Sequence, residues 1–278
     1  MQIDGRTELI AHLGHPTESF RAPLIYNPYF ASAGINAAVV PMGCRREVFA
    51  DVLRAFFALE NARGALITMP HKVSVLSLLD RVSTIASVAG ACNAVRREGD
   101  GRLVGDMFDG EGFVRALRRK GFEPRGTSGL VVGSGGVGSA IAASLAAAGA
   151  GRIALFDPVS GTASDLAGRL RTHFPGVAVS TGSNDPAGFD LVVNATPLGL
   201  HPGEPLPVDA SRLESRTFVA DVILRTDATD FLLAARERGC RVQPGIDMLF
   251  EMIPAYLEFF GLPTTTADVL RSLARLPD

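Results

Sequence analysis

A glycine-rich segment in the middle of the chain constrains the fold more than any other feature of the sequence. Residues 131–138 read VVGSGGVG, so a β-branched run leads into the spacing GxGxxG, and an Ala-rich helix is predicted from Ser139 to Ala148. The first glycine permits a tight turn, the second lets backbone approach a pyrophosphate, and the third lets helix and strand pack closely. Such a pattern also occurs in ordinary loops, but between a strand and a helix it predicts a Rossmann-type dinucleotide site. Its expected residues are Gly133, Gly135, Gly136, Val137 and Gly138.

The end of the next predicted strand carries the residue that selects the dinucleotide. The run 153–156 is followed by Asp157, about 20 residues after the glycines, where a carboxylate accepts hydrogen bonds from the adenosine ribose hydroxyls. A carboxylate there repels the additional phosphate of NADP, and residues 158–161, PVSG, include no Lys or Arg to bind that phosphate. The alternative is that Asp157 only caps the turn before Pro158. We expect NAD as the cofactor.

Apolar runs of strand length alternate with helical stretches along the whole chain, which predicts an α/β protein. In the first domain the expected strands are 9–13, 37–42 and 65–69, followed by a hairpin from 94 to 106. In the second domain the runs are spaced for parallel crossovers and lie at 130–132, 153–156, 177–180, 191–194 and 218–221.

The domain organisation follows from these runs. We predict an N-terminal α/β substrate domain, residues 1–109, and a doubly wound Rossmann NAD-binding domain, residues 110–245. Residues 246–278 are predicted to be helical, to add no strand, and to complete the first domain.

Charge and cysteine content exclude several classes of protein. The formal net charge is −2 and neither sign forms a block, so neither nucleic acid nor a lipid surface is an expected partner. Three cysteines without CxxC spacing indicate reduced thiols and no metal site. The uncharged stretch 129–151 is long enough for a membrane span, but its β-branched start and glycine turn favour strand, turn and buried helix. The N-terminus lacks the features of a signal peptide, and we expect a globular cytoplasmic protein.

Three polar clusters interrupt apolar surroundings in the first domain. They read TMPHK at 68–72, GACNA at 90–94 and GDMFDG at 105–110. Together with GHP at 14–16, the GxGxxG, NATPLG at 194–199 and GIDML at 245–249, they resemble the shikimate/quinate dehydrogenase family over nearly the whole chain. In that family the three clusters read roughly TxPxK, AxNT and GxNTDG. The colinear order is far more specific than any one motif.

The resemblance implies hydride transfer between a cyclic secondary alcohol and NAD, with Lys72 as general acid/base and Asp109 as its paired carboxylate. Alcohol oxidation requires a group that takes the hydroxyl proton, and a lysine can serve when its surroundings tune its pKa. Without the resemblance, Lys72 is equally well a surface lysine and Asp109 a helix N-cap. His71, beside Lys72, is expected to be solvent-exposed.

The same resemblance assigns further contacts. It places Thr68 and Asn93 at the substrate, and Thr196, Gly245 and Met248 near the cofactor. Asn93 has the alternative of satisfying backbone groups in a turn. Ordinary helix-start and core roles are the alternatives for Gly245 and Met248.

The segment after the first strand departs from the family pattern. Family members hold a substrate carboxylate with two hydroxyl residues in an HSxSP-like stretch, and these positions are Phe20 and Ala22 here. The family glutamine that touches ring hydroxyls falls on Met252, and the family tyrosine falls on Leu224. Because burying an unpaired carboxylate is costly, we expect poor activity on shikimate and a less polar or differently substituted cyclic alcohol as substrate.

Two other functions remain open. The chain could be a genuine shikimate or quinate dehydrogenase whose carboxylate anchor is Thr17, Ser19 or Arg21, or an NAD-binding regulator without turnover. In each case the expected partner is a small cyclic hydroxy compound. A homodimer is expected from the resemblance alone.

Overall fold

The computed structural model describes residues 3–18, 20–201, 203–224 and 228–276. The chain divides into two compact units, residues 1–108 with 253–278, and residues 109–252. The sequence placed the second boundary at 245/246, whereas this division falls seven residues later, inside a helix.

The helices are named in chain order and belong to both units. They are α1 (Pro23–Ala33), α2 (Phe49–Phe57), α3 (Thr84–Ala89), α4 (Asp109–Arg119), α5 (Gly136–Ala147), α6 (Thr162–His173), α7 (Asp230–Glu237), α8 (Gly245–Phe259) and α9 (Ala267–Leu273).

The first unit contains a six-stranded mixed sheet. Its strands are β1 (Glu8–Gly14), β2 (Ala37–Gly43), β3 (Ala62–Ile67), β4 (Arg81–Val82), β5 (Ala94–Arg97) and β6 (Leu103–Asp106). The order in the sheet is β2-β1-β3-β5-β6-β4, with β1 parallel to β2 and β3. The antiparallel β5–β6 pair is the predicted hairpin, and Glu98 N donates to Arg102 O at 2.9 Å across its turn.

The C-terminal helices complete this unit through hydrogen bonds to backbone carbonyls. Arg96 Nη1 donates to Phe259 O at 2.7 Å, and Arg63 Nε donates to Phe260 O at 2.6 Å. The Tyr29 hydroxyl donates to Pro263 O at 2.8 Å, and α9 packs against α1. The two arginine bonds satisfy carbonyls at the end of α8 that have no partner inside the helix, and the tyrosine bond holds the segment between α8 and α9.

The second unit contains a fully parallel sheet. Its strands are β7 (Ser128–Val132), β8 (Arg152–Phe156), β9 (Ala178–Thr181), β10 (Leu191–Asn194), β11 (Phe218–Asp221) and β12 (Arg241–Gln243). The order is β12-β11-β10-β7-β8-β9. Counted from β7 this is 3-2-1-4-5-6, the doubly wound Rossmann order, so the predicted fold class is confirmed.

Two edge strands were missed by the sequence interpretation. Both β4 and β12 are two or three residues long, and each pairs with one neighbour only. Such short strands carry too few residues for an alternating or continuous apolar pattern. The strand expected at 65–69 begins earlier, at Ala62, and ends at Ile67.

Helix α5 is the buried helix that the uncharged segment predicted. Its residues from Gly138 to Ala146 are buried, and it packs against α4, α6 and β7. A helix that is apolar on all sides has no solvent face to place at the surface. Within the described part of the chain, no helix has the length and hydropathy to cross a membrane.

Candidate functional site

The turn between β7 and α5 has the geometry of a phosphate-binding cradle. Gly133 has φ +100°, and a Cβ there would lie 2.6 Å from the Ala195 carbonyl oxygen. A Cβ on Gly138 would overlap Gly133 O. Neither position therefore accepts a side chain.

The start of α5 is open, in contrast. Gly135 and Gly136 are exposed, Val137 is partly exposed, and a Cβ on Gly135 would meet no atom within 4 Å. The first N–H groups of a helix have no partner inside the helix and carry partial positive charge. Ser134 Oγ is buried and has no hydrogen-bond partner among the described residues. These features fit the pyrophosphate of a dinucleotide.

Asp157 connects the cradle to the next strand. Its Oδ2 accepts the Ser134 N–H at 2.7 Å, and its Oδ1 accepts the Val159 N–H at 2.9 Å. The capping role that the sequence left as an alternative is therefore present. Each carboxylate oxygen retains a further lone pair for another donor, and the side chain is only partly buried.

A buried polar network supports the loop after β10. Asn194 Nδ2 donates to Asp221 Oδ1 at 3.2 Å, and the Thr229 hydroxyl donates to Asp221 Oδ2 at 2.7 Å. Burial raises the pKa of Asp221, and these hydrogen bonds oppose that shift. The Thr196 hydroxyl donates to Asn194 Oδ1 at 2.7 Å and accepts from Leu198 N at 3.1 Å, so it shapes its own turn.

The start of α8 is packed tightly against the loop after β11. A Cβ on Gly245 would lie 2.5 Å from Ile223 O, which explains the glycine. Met248 is buried, and Met252 is partly buried with its Cβ close to the position of a side chain on Gly112. The structural alternatives considered for Gly245 and Met248 are thus realised in this unit.

The chemistry-bearing residues of the first unit follow the carboxyl ends of β1 and β3. Thr68 N donates to Leu13 O at 2.9 Å, which ties the loop after β3 to the end of β1. Cys92 N donates to Lys72 O at 2.7 Å, which ties Lys72 to the turn before β5. Lys72 and Thr68 are partly buried. Parallel strands end at one edge of a sheet, the usual location of a ligand site in α/β folds.

Asn93 joins the loops of this edge. It is 1% exposed, its side-chain Oδ1 accepts the Phe108 N–H at 2.9 Å, and its backbone N–H donates to Asp106 O at 3.0 Å. The structural alternative for Asn93 is therefore observed. Asp109, the residue after Phe108, is the buried first residue of α4 and belongs to the second unit.

The expectation that His71 is solvent-exposed was wrong. His71 is fully buried, stacks on Phe49 with ring centroids 4.0 Å apart, and donates from Nε2 to Cys44 O at 2.9 Å. Burial lowers the pKa of His71. The neighbouring polar residues suggested a wet environment, but the fold turns this ring inward under α2.

Phe20, for which the resemblance predicts a hydroxyl residue, is an aromatic side chain packed on β1. Its ring stacks on His12 with centroids 4.0 Å apart and 25° between planes, and its Cζ lies 2.8 Å from the position a Cβ would take on Gly14. Ala22 is partly buried just before α1, and Arg21 is exposed. Ser19 lies outside the described residues.

His12 was missed by the sequence interpretation. Burial and the positive charge of Lys72 lower the pKa of His12 to about 4. Its Nδ1 is buried without a hydrogen-bond partner among the described residues. A single histidine inside the apolar run LIAHLG was the available signal.

The described residues contain no cluster of metal-ligating side chains. The three cysteines are free and buried. Because His71 Nε2 is the donor to Cys44 O, it cannot also accept the proton of the Cys44 thiol. Burial raises the pKa of that thiol, so the pair is not an activated nucleophile.

Comparisons with known proteins agree with this arrangement. Residues 13–95 match the model of the shikimate dehydrogenase substrate binding domain. The shikimate dehydrogenase (NADP(+)) of Rubrobacter xylanophilus is 35% identical over 284 residues, which cover 98% of both chains.

Two solved structures are similar over almost the whole chain. The shikimate 5-dehydrogenase of Listeria monocytogenes, in complex with shikimate and NAD, has a TM-score of 0.92 at 26% identity and covers 98% of both chains. The ligand-free 5-ketofructose reductase of a Gluconobacter strain has a TM-score of 0.89 at 28% identity, covering 97% of this chain and 98% of that one.

Proposed function

The chain belongs to the shikimate dehydrogenase family, whose members are oxidoreductases that act on CH–OH groups with a nicotinamide dinucleotide, and on that premise we propose that it is an NAD-dependent dehydrogenase for a cyclic secondary alcohol without the shikimate carboxylate. The observation that carries this proposal is the ring of Phe20, which lies against Gly14 and His12. The resemblance assigns a hydroxyl residue to this position of the sequence.

The preference for NAD rests on Asp157. Its carboxylate stands at the end of β8, beside the glycine turn, where the 2′-phosphate of NADP would meet a negative charge. No Lys or Arg occurs from residue 158 to residue 168 to neutralise that phosphate. The Rubrobacter relative is named for NADP(+), whereas the Listeria enzyme is described with NAD. We therefore infer that this chain departs from the Rubrobacter enzyme in its cofactor.

The catalytic roles follow from the family. The bound nicotinamide supplies the hydride acceptor. We infer that the Lys72 amine takes the hydroxyl proton of the alcohol during oxidation and returns it during reduction, and that Asp109 is the paired carboxylate. Thr68 and Asn93 are the inferred substrate contacts of the first unit, beside Phe20 and Ala22; Met252 is inferred to contact substrate from α8.

The inferred cofactor contacts all belong to the second unit. Backbone N–H groups at the start of α5 suit the pyrophosphate, and the loops after β10 and β11 suit the nicotinamide half. The residues are Gly133, Gly135, Gly136, Val137, Gly138, Asp157, Thr196, Gly245 and Met248.

The loss of the hydroxyl pair weakens the case for shikimate as substrate. Phenyl and methyl side chains offer no hydrogen bond to a carboxylate, and an unpaired buried charge costs several kcal/mol. The names of curated relatives support a second candidate, a genuine shikimate dehydrogenase with another anchor such as Thr17. The 5-ketofructose reductase favours the first candidate, because a protein of the same fold is named for an uncharged sugar.

Initial rates with NAD and NADP on shikimate, quinate and uncharged cyclic polyols test both candidates. We expect turnover of an uncharged compound with NAD, and little turnover of shikimate.

The double variant Phe20→Ser, Ala22→Ser restores the hydroxyl pair and is expected to raise kcat/KM for shikimate by about tenfold or more. The variant Asp157→Asn is expected to lower the ratio of kcat/KM with NAD to kcat/KM with NADP. Efficient turnover of shikimate by the wild type would reverse the substrate assignment, and NAD binding without any turnover would favour a regulator.

A further inference from the structure

His12 has a side-chain environment that is unusual for a histidine in a central strand. It lies on β1 in register with Pro41 of β2 and Leu66 of β3. Because alternate residues of a strand share a face, His12 and Gly14 point to the same side of the sheet. That is the side on which the Phe20 ring rests against both residues.

The imidazole of His12 is fixed by ring stacking, and part of its hydrogen-bonding capacity is unused. The stacked Phe20 ring restricts its rotation, and the side chain remains partly exposed. Its Nδ1 is buried and has no hydrogen-bond partner among the described residues, so a ligand reaches the ring through Nε2. A partly exposed ring in this position, at the edge where Thr68 and Lys72 lie, has hydrogen-bonding capacity left for a ligand.

The protonation state of His12 limits what that ligand can be. Burial is the larger cause and the Lys72 charge the smaller cause of a pKa near 4, so the ring is uncharged at neutral pH. The Nε2 of a neutral imidazole is a donor in one tautomer and an acceptor in the other, which suits a hydroxyl or a carbonyl oxygen. It supplies no positive charge to replace the lost carboxylate anchor.

We propose that His12 is a specificity-determining residue that hydrogen-bonds an uncharged hydroxyl or carbonyl oxygen of the substrate, and that with Phe20 it selects polyhydroxylated, uncharged alcohols or ketones over carboxylates. This inference rests on the proposed function and names its substrate class. In this chain the His12–Phe20 pair therefore recognises substrate through ring stacking and a hydrogen bond from a neutral group. The two hydroxyl residues of the family pattern would instead bind a carboxylate.

The experiment compares His12→Leu and His12→Asn with wild type on an uncharged cyclic polyol and on its deoxy analogues. His12→Leu is expected to lower kcat/KM for the polyol by about 10- to 100-fold. For the analogue that lacks the contacted hydroxyl, the loss is expected to shrink to about twofold. His12→Asn keeps a donor and an acceptor and is expected to recover part of the activity. The matched control is His173→Leu, an exposed histidine of α6, which is expected to match wild type.

NAD affinity, measured by calorimetry, is expected to be the same in all four proteins. An equal loss on polyol and deoxy analogue would show a merely structural role and overturn the proposal. Unchanged kinetics in His12→Leu would overturn it as well.

A failure of the proposed function is distinguishable from a failure of this inference. If wild type turns over no compound of the panel, the dehydrogenase assignment fails. The imidazole NMR signals then decide: the signal that His12→Leu removes is expected to shift when polyol is added, and no shift would overturn the proposal.

Discussion

Lys72 is anchored through its backbone, because its carbonyl accepts the Cys92 N–H at 2.7 Å and does so whatever side chain is present. Truncation of the side chain therefore removes the amine without releasing the loop. Lys72→Ala is expected to lower kcat by about 10²- to 10⁴-fold, the usual contribution of a general acid or base. Lys72→Arg is not expected to restore the rate, because a guanidinium does not release its proton.

Initial rates with the best substrate of the wild type measure this loss, with NAD affinity as the control for intact binding. A rate within a few-fold of wild type in Lys72→Ala would remove Lys72 from the chemistry.

The two inward-facing histidines of the first unit predict a pH dependence of stability. The pKa of His12 is lowered to about 4 and that of His71 is also lowered, each chiefly by burial. Below the ordinary histidine pKa of about 6.5, these two histidines bind protons in the unfolded chain but remain neutral in the folded chain. This contribution to the free energy of unfolding is fully present above that pH and is lost progressively toward pH 4.

Denaturant titrations at several pH values between these limits measure the slope of the free energy of unfolding against pH. His12→Leu removes one of the two groups and is expected to flatten it, whereas an identical slope in the variant would refute the assignment to His12.

At the scale of elements, the turn between β7 and α5 contains one glycine that is needed for packing and another that is proposed to face the cofactor. A Cβ on Gly138 overlaps Gly133 O and lies 3.1 Å from the Ala195 Cβ, so Gly138→Ala is expected to cost about 1–3 kcal/mol of unfolding free energy. A Cβ on Gly135 meets nothing within 4 Å. Gly135→Ala is therefore expected to preserve stability but to weaken NAD binding, because its methyl group projects into the space proposed for the pyrophosphate.

Thermal or denaturant unfolding together with NAD calorimetry distinguishes the two variants. Equal NAD affinity in Gly135→Ala and wild type would place the pyrophosphate elsewhere.

At the scale of the whole molecule, the first unit depends on residues from the far end of the chain. Helix α9 packs against α1, with Leu270 fully buried and Val269 41% exposed. Leu270→Ala is expected to destabilise the first unit by about 2–5 kcal/mol, the usual cost of a cavity. The neighbouring Val269→Ala is the matched control, with an expected change within about 0.5 kcal/mol.

Limited proteolysis read by mass spectrometry reports which unit opens. Cleavage is expected first within residues 3–108 of Leu270→Ala, with NAD affinity unchanged. Earlier cleavage within residues 109–252 would contradict the dependence.

Local patterns in the sequence were sufficient for much of this molecule. The strand, turn and helix around the glycines, the β5–β6 hairpin and the long central strands depend on residues close in the chain, and each was correctly predicted. Edge strands β4 and β12 were not, because their pairing is decided by a neighbouring strand rather than by their own residues. The replacement of the family hydroxyls by Phe20 and Ala22 was also visible in the sequence.

Only the tertiary structure decided how those side chains are used. The sequence shows His12 and Phe20 eight residues apart, but their stacking requires the loop after β1 to fold back over the strand. The burial of His71 requires α2 to cover it with Phe49. A pKa and a free hydrogen-bonding group depend on what surrounds a side chain in space, and those neighbours come from separate segments that only the folded chain brings together.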